Sequence, residues 1–439
     1  MVNLYDIAYG LGLALAAPFW LIRRTARDKV FAAISQRMGN VPRRASTAPA
    51  VMIHAVSLGE MNATRGLVDR LRQHRPDLHL IISATTDTGF ARAQELHGVA
   101  ASSTAVTVVR YPLDFTWAVA RVLDNLRPSV VVLMELEIWP NFLHHCDRRS
   151  IPVILVNGRM TAPSFRRYRL VRPIVARMLR RMAALCVQDQ TNAGRFAALG
   201  SPADRIHITG TMKFDTATVA ERIAGDDELA AAVGLKPGQE PIWVCGSTGP
   251  GEEQIMIAQY RHLLARYPAL RLVIVPRHPQ RFDEVAALIT SAGLPLIRRS
   301  QPTLTRDPSP EASVVLGDTM GELRKFYSLA TVVFVGRTLV DLGPRQHGSD
   351  MIEPAALGKP VIVGPFTANF ADAIAHFRQA SAIVEVDTPD ALGQGVTRLL
   401  SFPQDAATIA RAAQQVVLDE KGATERHAQL ILACLPANT

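Results

Sequence analysis

Three carboxylates in this 439-residue chain stand where acid–base chemistry would need them. Glu135 and Glu137 lie two residues apart in Met134-Glu-Leu-Glu-Ile-Trp-Pro-Asn141, directly after the apolar run Val130–Met134. A carboxylate at the end of a buried run needs a partner or a chemical role. For Glu137 the alternative is structural, capping a turn or pairing with an arginine. Glu60 closes His54-Ala-Val-Ser-Leu-Gly-Glu60, between a strand pattern and a helix pattern. It is either a favourable negative charge at a helix start or a general base on a loop at a strand end.

A second group of residues suits an anion. Gly246-Ser-Thr-Gly-Pro-Gly-Glu-Glu253 joins a strand to a helix through a glycine-rich turn, with Ser247 and Thr248 as polar groups. It lacks the lysine of a P-loop and is not GxGxxG, so nucleoside triphosphate and dinucleotide readings fail. Val275-Pro-Arg-His-Pro279 holds Arg277 and His278 between prolines. A guanidinium there matches phosphate geometry, whereas a lone histidine more often packs than acts as an acid. Gly317-Asp-Thr-Met-Gly-Glu-Leu323 contributes Gly321, Glu322 and Leu323, and Asp350-Met-Ile-Glu-Pro354 contributes Asp350, Met351, Ile352 and Glu353. A carboxylate at such a helix start can meet a ribose diol. No DxD-like or HExxH spacing occurs, so a reaction without metal or cofactor is expected.

These segments are positioned by alternating strand-like and helix-like stretches. Strands are expected at Val51–His54, Leu78–Ser83, Val106–Arg110, Val130–Met134, Val153–Val156 and Leu185–Gln188, with helices such as Ala63–His74 and Thr116–Leu126 between them. A second series runs Ile242–Cys245, Arg271–Val275, Val314–Leu316, Val332–Val335, Pro360–Val363 and Ala382–Val386. Such alternation predicts an α/β chain with two doubly wound parallel sheets. Every candidate residue then falls at a carboxyl end of a strand, where such sheets bind ligands. The expected domains are 1–25, a membrane-anchor helix; 26–209 and 210–404, the two Rossmann-like units; and 405–439, a last helix packing back toward the first unit.

Length and composition agree. A chain this long exceeds one core, and 48% hydrophobic with 20% charged residues describes a folded globular protein. Four scattered cysteines without a CxxC pair suggest neither zinc nor disulfides. The net charge of +9 is concentrated: residues 1–45 carry +5, and Arg159–Arg181 carries eight arginines and no acid. Arg159, Arg166, Arg167 and Arg169 of that stretch suit an anionic surface such as phospholipid headgroups. Nucleic acid is disfavoured by 6% aromatics and by the lack of any reader motif. Ile7–Ile22 is an uncharged run of sixteen residues followed by Arg23, Arg24, Arg27 and Lys29. As a helix it is about 24 Å long, short of a full hydrocarbon core, and its flanking charges keep the remainder on the cytoplasmic side. A membrane anchor is expected, spanning or lying in the plane.

Taken in order, HAVSLGE, MELEIWPN, Gly210-Thr-Met-Lys-Phe-Asp215, VPRHPQRF, GDTMGEL and EPAALGKPVIVGP resemble the 3-deoxy-D-manno-octulosonic acid (Kdo) transferase family over nearly the whole chain. The resemblance implies a GT-B glycosyltransferase of lipopolysaccharide assembly. Its expected reaction is inverting transfer of Kdo from CMP-Kdo to a lipid A precursor (lipid IVA) at the cytoplasmic face of the inner membrane. On that likeness Glu60 matches the catalytic base, and Glu135 and Lys213 match groups that steady the transition state. CMP contacts map to Ser247, Thr248, Arg277, His278, Gly321–Leu323 and Asp350–Glu353. Three segments depart from the family pattern. Ser247-Thr248-Gly249 replaces serine-threonine-histidine, and a longer loop over 343–349 with Asp350 replaces Gly-Gly-His-Asn. Arg337 stands where a second glycine is usual and can supply a compensating charge. The alternatives are a membrane-associated GT-B enzyme with another nucleotide sugar or lipid acceptor, or a non-catalytic sugar-nucleotide binder.

Overall fold

The computed structural model describes residues 3–21, 33–98, 106–301, 312–343 and 346–436. Arg23, Arg24, Arg27 and Lys29 lie outside the described residues, as do Pro344 and Arg345 of the altered loop. Contacts divide the chain into two compact units, 1–216 with 421–439, and 217–420. The sequence reading put these divisions at 209/210 and 404/405.

The first unit is built on β1 (Ala50–Ala55), β2 (His79–Ala84), β3 (Val106–Arg110), β4 (Val130–Met134), β5 (Val153–Gly158), β6 (Ala184–Val187) and β7 (Ile206–Ile208). They form one parallel sheet in the order β3-β2-β1-β4-β5-β6-β7. The second unit has β8 (Ile242–Thr248), β9 (Arg271–Pro276), β10 (Leu296–Arg298), β11 (Val314–Leu316), β12 (Val332–Val335), β13 (Val361–Val363) and β14 (Val384–Glu385). Their order is β10-β11-β9-β8-β12-β13-β14, again parallel throughout. β-Branched runs buried at every position, as in β1, β4 and β8, are what a sheet covered on both faces requires. β7 and β10 were not expected; each is three residues long and none of their residues is buried, so neither has the apolar run that marks a central strand.

Both sheets reverse their winding once, between β1 and β4 in the first unit and between β8 and β12 in the second. Loops at such a reversal diverge and leave a crevice at the carboxyl edge. Glu60 follows β1 and Glu135 follows β4; Ser247 and Thr248 end β8 and Arg337 follows β12.

The N-terminal helix, Leu4–Leu21, is docked on the first unit by its opening turns. Asp6 accepts hydrogen bonds from the Thr116 amide and from Asn141 Nδ2, both at 2.8 Å. Tyr9 packs edge-on against Phe115 and Trp139, with centroids 5.1 and 6.4 Å apart. Among the described residues no helix is long and apolar enough to cross a membrane, which corrects the spanning form of the expected anchor. The charge of Asp6 and the tyrosines belong to a helix that uses one side against protein. The other side exposes Ile7, Leu11 and Leu15, one turn apart along one stripe.

The expected single C-terminal helix is two, Pro403–Glu420 in the second unit and Ala423–Ala433 in the first. The break falls at Gly422, whose φ of 96° lies in the left-handed region. The second helix is fastened to the first sheet by two groups. Asp215 accepts from the amides of Gly422 and Thr424, each at 2.6 Å, and so caps the helix start. His427, fully buried, accepts from the Asn157 amide and lies 3.0 Å from Thr209 Oγ1, while its Nδ1 donates to the Ala423 carbonyl. Those roles require the neutral ring, and burial holds His427 down at about 4. The depressed value makes the unfolded chain bind the extra proton first. This share of stability is therefore complete above pH 6.5 and disappears as pH falls toward 4. His427→Gln cannot titrate, so the stability advantage of the native protein over it should shrink by about 3 kcal/mol between pH 7 and pH 4. Calorimetric Tm measured across that range checks this; parallel curves would contradict it.

Candidate active site

In the first unit the helix Leu58–His74 starts with a capping box. Ser57 Oγ accepts the Glu60 amide at 3.2 Å, and the Glu60 carboxylate accepts the Val56 amide at 2.9 Å and the Ser57 amide at 3.3 Å. The helix-start role is thus real, and it fixes where the carboxylate sits. These amides take two of the roughly four acceptor positions of the carboxylate. Glu135 stands at the β4 end with φ 55°, a left-handed conformation unusual for a side chain of this size. Burial and the neighbouring Glu60 carboxylate push its pKa up, Lys213 and Arg159 pull it down, and Glu137 adds a smaller upward push. Glu60, Glu135, Lys213 and Arg159 therefore share one electrostatic neighbourhood. Glu137 accepts from the indole Nε1 of Trp139 at 3.1 Å, neither a turn cap nor an arginine pair, and is itself pushed up by burial.

Lys213 opens the short helix Lys213–Thr216. That helix is held by Asp215, the cap of the C-terminal helix, and by Met212, whose amide donates to Asn157 Oδ1 at 3.2 Å. The fastening of the chain end and the placing of Lys213 are one arrangement. The arginine stretch divides: Arg159 lies near Glu135, whereas Arg166, Arg167 and Arg169 are exposed on the helix Ala162–Leu170, which buries no residue.

In the second unit a cavity of about 280 Å³ is lined by Ser247, Arg277, Thr319, Met320, Gly321, Leu323, Arg324 and Glu353, among others. Burial, then the Asp350 carboxylate, pushes Glu353 up to about 7, while Arg324 opposes the rise from an ion-pair distance of 3.1 Å. Arg277 and His278 are exposed at the β9 end, and burial together with Arg337 and Arg277 holds His278 below its ordinary value. Other candidates have structural partners. Thr248 is fully buried and donates to Glu253 at 2.7 Å. Glu322 accepts from Arg299 at 3.0 and 3.1 Å and from Thr319. Met351 and Ile352 are core residues, and Asp350 accepts the Ile352 amide at 2.9 Å. Arg324 was missed by sequence reasoning; its only signal was its place one residue beyond the GDTMGEL motif.

The glycine-rich turn owes its shape to Glu252. This fully buried carboxylate accepts from the amides of Gly249, Arg337, Thr338 and Leu339 at 2.6–3.0 Å, tying the loop after β8 to the loop after β12. Glu253 pairs with Arg281 at 2.6 Å. The two acids thus bind protein.

The described family model "3-Deoxy-D-manno-octulosonic-acid transferase (kdotransferase)" matches residues 32–216. A 3-deoxy-D-manno-octulosonic acid transferase of Haemophilus influenzae is 34% identical over 389 residues, 88% of this chain and 88% of that protein. One of Bordetella pertussis is 33% identical over 424 residues, 94% of this chain and 95% of that protein. Among solved structures, a glycosyltransferase from Rickettsia africae is similar in fold, with a TM-score of 0.57, 10% identity and coverage of 90% of this chain and 100% of that one. Two parallel-sheet units and these relatives define a glycosyltransferase. The chain belongs to the 3-deoxy-D-manno-octulosonic acid transferase family.

Glu252→Gln should lower stability by about 3 kcal/mol, because an amide NH₂ would face backbone donors. Faster proteolysis within 337–343 should accompany the lower Tm. An unchanged Tm would show that the carboxylate is not what ties the two loops.

Proposed function

We propose that this GT-B transferase moves Kdo from CMP-Kdo to a lipid A precursor, without metal and with inversion at the anomeric carbon. The first unit serves the acceptor and the second the CMP-sugar. The observation that carries this reading is the joining of Glu60, Glu135 and Lys213 into one electrostatic neighbourhood beside the β1/β4 reversal. Glu60 takes the proton of the acceptor hydroxyl, a task its orienting amides leave lone pairs for. Glu135 steadies the oxocarbenium-like centre as the donor bond breaks. Lys213 and Arg277 supply charge to the departing phosphate, and Glu353 has the burial and position to meet the ribose.

The same reading sets the enzyme on the cytoplasmic face of the inner membrane, in the plane and not across it. Two surfaces of the first unit support this. The N-terminal helix exposes Ile7, Leu11 and Leu15, and the segment Ala162–Leu179 exposes Leu170, Val171 and Ile174 among Arg166, Arg167, Arg169, Arg172 and Arg177. Apolar side chains interleaved with arginines insert at a headgroup boundary while the cations meet lipid phosphate.

Incubation with CMP-Kdo and tetra-acylated lipid A precursor in EDTA should add Kdo mass to the lipid. Glu60→Gln should reduce the rate by about 10²- to 10⁴-fold without lowering CMP binding. Transfer by Glu60→Gln at the native rate would remove Glu60 as the base. Separately, Arg166→Glu, Arg167→Glu and Arg169→Glu together should abolish sedimentation with anionic vesicles at moderate salt; unchanged sedimentation would exclude this patch.

A further inference from the structure

At the β8/β12 reversal the side chains of Leu342 and Arg337 fill the space beside Gly249. A Cβ built on Gly249 would lie 2.5 Å from Leu342 Cδ1 and 3.0 Å from Arg337 Cγ. The volume beside residue 249 is therefore filled from the neighbouring strand. A Cβ on Gly336 would meet the backbone of Ser247 and Thr248 at 2.5–2.8 Å, so the two strand ends are pressed together. Arg337 follows with φ 61°, a conformation costing a non-glycine residue about 1 kcal/mol or more. It is kept there by two bonds, its amide to Glu252 at 2.6 Å and its carbonyl from the Gly348 amide at 2.7 Å.

Its charge has no ion-pair partner among the described residues, and Glu252 alone favours it. Arg337 Nε is buried without a hydrogen-bond partner. Glu252, the acid beside it, already accepts four backbone amides. Burial and Arg277 both oppose its charged form. Arg277 follows β9, on the other side of β8, and its amide donates to the Thr248 carbonyl at 3.0 Å. Two guanidinium groups thus flank the end of one strand, near enough to repel, and among the described residues no ion pair joins either to an acid. A half-buried cation without an ion-pair partner is costly unless an anion arrives with the ligand. Arg277 lines the cavity that also holds Ser247 and Glu353; Arg337 lies beyond it, across β8.

We infer that Arg337 binds the carboxylate of the donor sugar while Arg277 binds the phosphodiester, so that Arg337 selects a 2-ulosonic acid over a neutral sugar on the same nucleotide. This rests on CMP-Kdo being the donor. In that molecule the anomeric carbon carries both the carboxylate and the phosphoester oxygen, two single negative charges a few ångströms apart. Two guanidinium groups match them in number, and the fork of each suits a planar carboxylate or a phosphate. One phosphodiester alone would leave one cation unmatched.

The test compares Arg337→Gly and Arg337→Lys with the native protein. Glycine relieves the positive φ, so Tm should stay level or rise. The KM for freshly synthesised CMP-Kdo should increase about 10- to 100-fold in Arg337→Gly, while the Kd for CMP, which lacks the sugar carboxylate, changes less than about threefold. Arg337→Lys should recover part of the loss. A parallel weakening of CMP and CMP-Kdo would assign Arg337 to the phosphate and overturn the proposal, as would an unchanged KM. If Arg337→Gly lowers Tm, the ratio of CMP-Kdo to CMP affinity in Arg337→Lys decides by the same criterion. Native protein that transfers nothing from CMP-Kdo refutes the donor itself, and does so before any variant is compared.

Discussion

The loops at the carboxyl edges of both sheets hang on buried or half-buried carboxylates that collect backbone amides. A strand-to-helix turn leaves N–H groups that the next helix cannot satisfy, and an unsatisfied buried amide costs about as much as a lost hydrogen bond. Glu60 serves Val56 and Ser57, Asp6 serves Thr116, Asp114 serves Asn141 and Phe142, Asp215 serves Gly422 and Thr424, and Glu252 serves four amides. One mechanism shapes the edge of each sheet where the candidate chemistry lies. It also orders the loops before any ligand arrives, the preorganisation that electrostatic catalysis requires.

This allocation separates the acids that build from the acids that are left for chemistry. Glu252, Glu253 and Glu322 have protein partners for their carboxylates. Glu135 and Glu353 are instead pushed upward by burial and by another acid nearby, with arginine or lysine charge only partly offsetting. Glu60 belongs to both groups, since capping orients it and only part of its acceptor capacity is used. The cations divide in the same way. Arg281, Arg298 and Arg299 are paired, while Arg277 and Arg337 have no ion pair among the described residues. Of these two only Arg277 lines the cavity of the second unit, where it shares the lining with Arg324 and Glu353.

Much of this was legible in the sequence. Runs such as Val130–Met134, Val314–Leu316 and Val332–Val335 became strands with those bounds, because parallel central strands write their double burial as unbroken apolar runs. β7 and β10 were not legible because three-residue edge strands bury no continuous surface. The break at Gly422 was hidden by helix-favouring residues on both sides, and only the capping of Ala423–Ala433 by Asp215, over 200 positions away, explains it. Carboxylates at strand ends were also visible as a class. Which of them cap and which face substrate was not, since Glu60, Glu135 and Glu252 look alike until their amide partners are counted. The sixteen-residue apolar run pointed to a membrane, but Asp6 and Tyr9 dock the helix through contacts with residues 115–141 that no local pattern records.

The altered donor loop shows why motif positions cannot be read one at a time. Gly249 alone reads as a lost polar contact, and Arg337 alone as a misplaced charge in a glycine's place. Packing makes them a single fact: β8 and β12 approach so closely at Gly336 that side-chain volume at 249 and at 337 must be shared. With glycine at 249, Leu342 and Arg337 fill the volume a side chain there would take, and Arg337 feels the charge of Arg277. The strain at its φ and the repulsion of its neighbour both oppose that choice, and Glu252 stabilises the backbone without reaching a charge balance. A strained cation without an ion pair at the reversal of a parallel sheet is a local conflict of the kind folded proteins keep at functional sites.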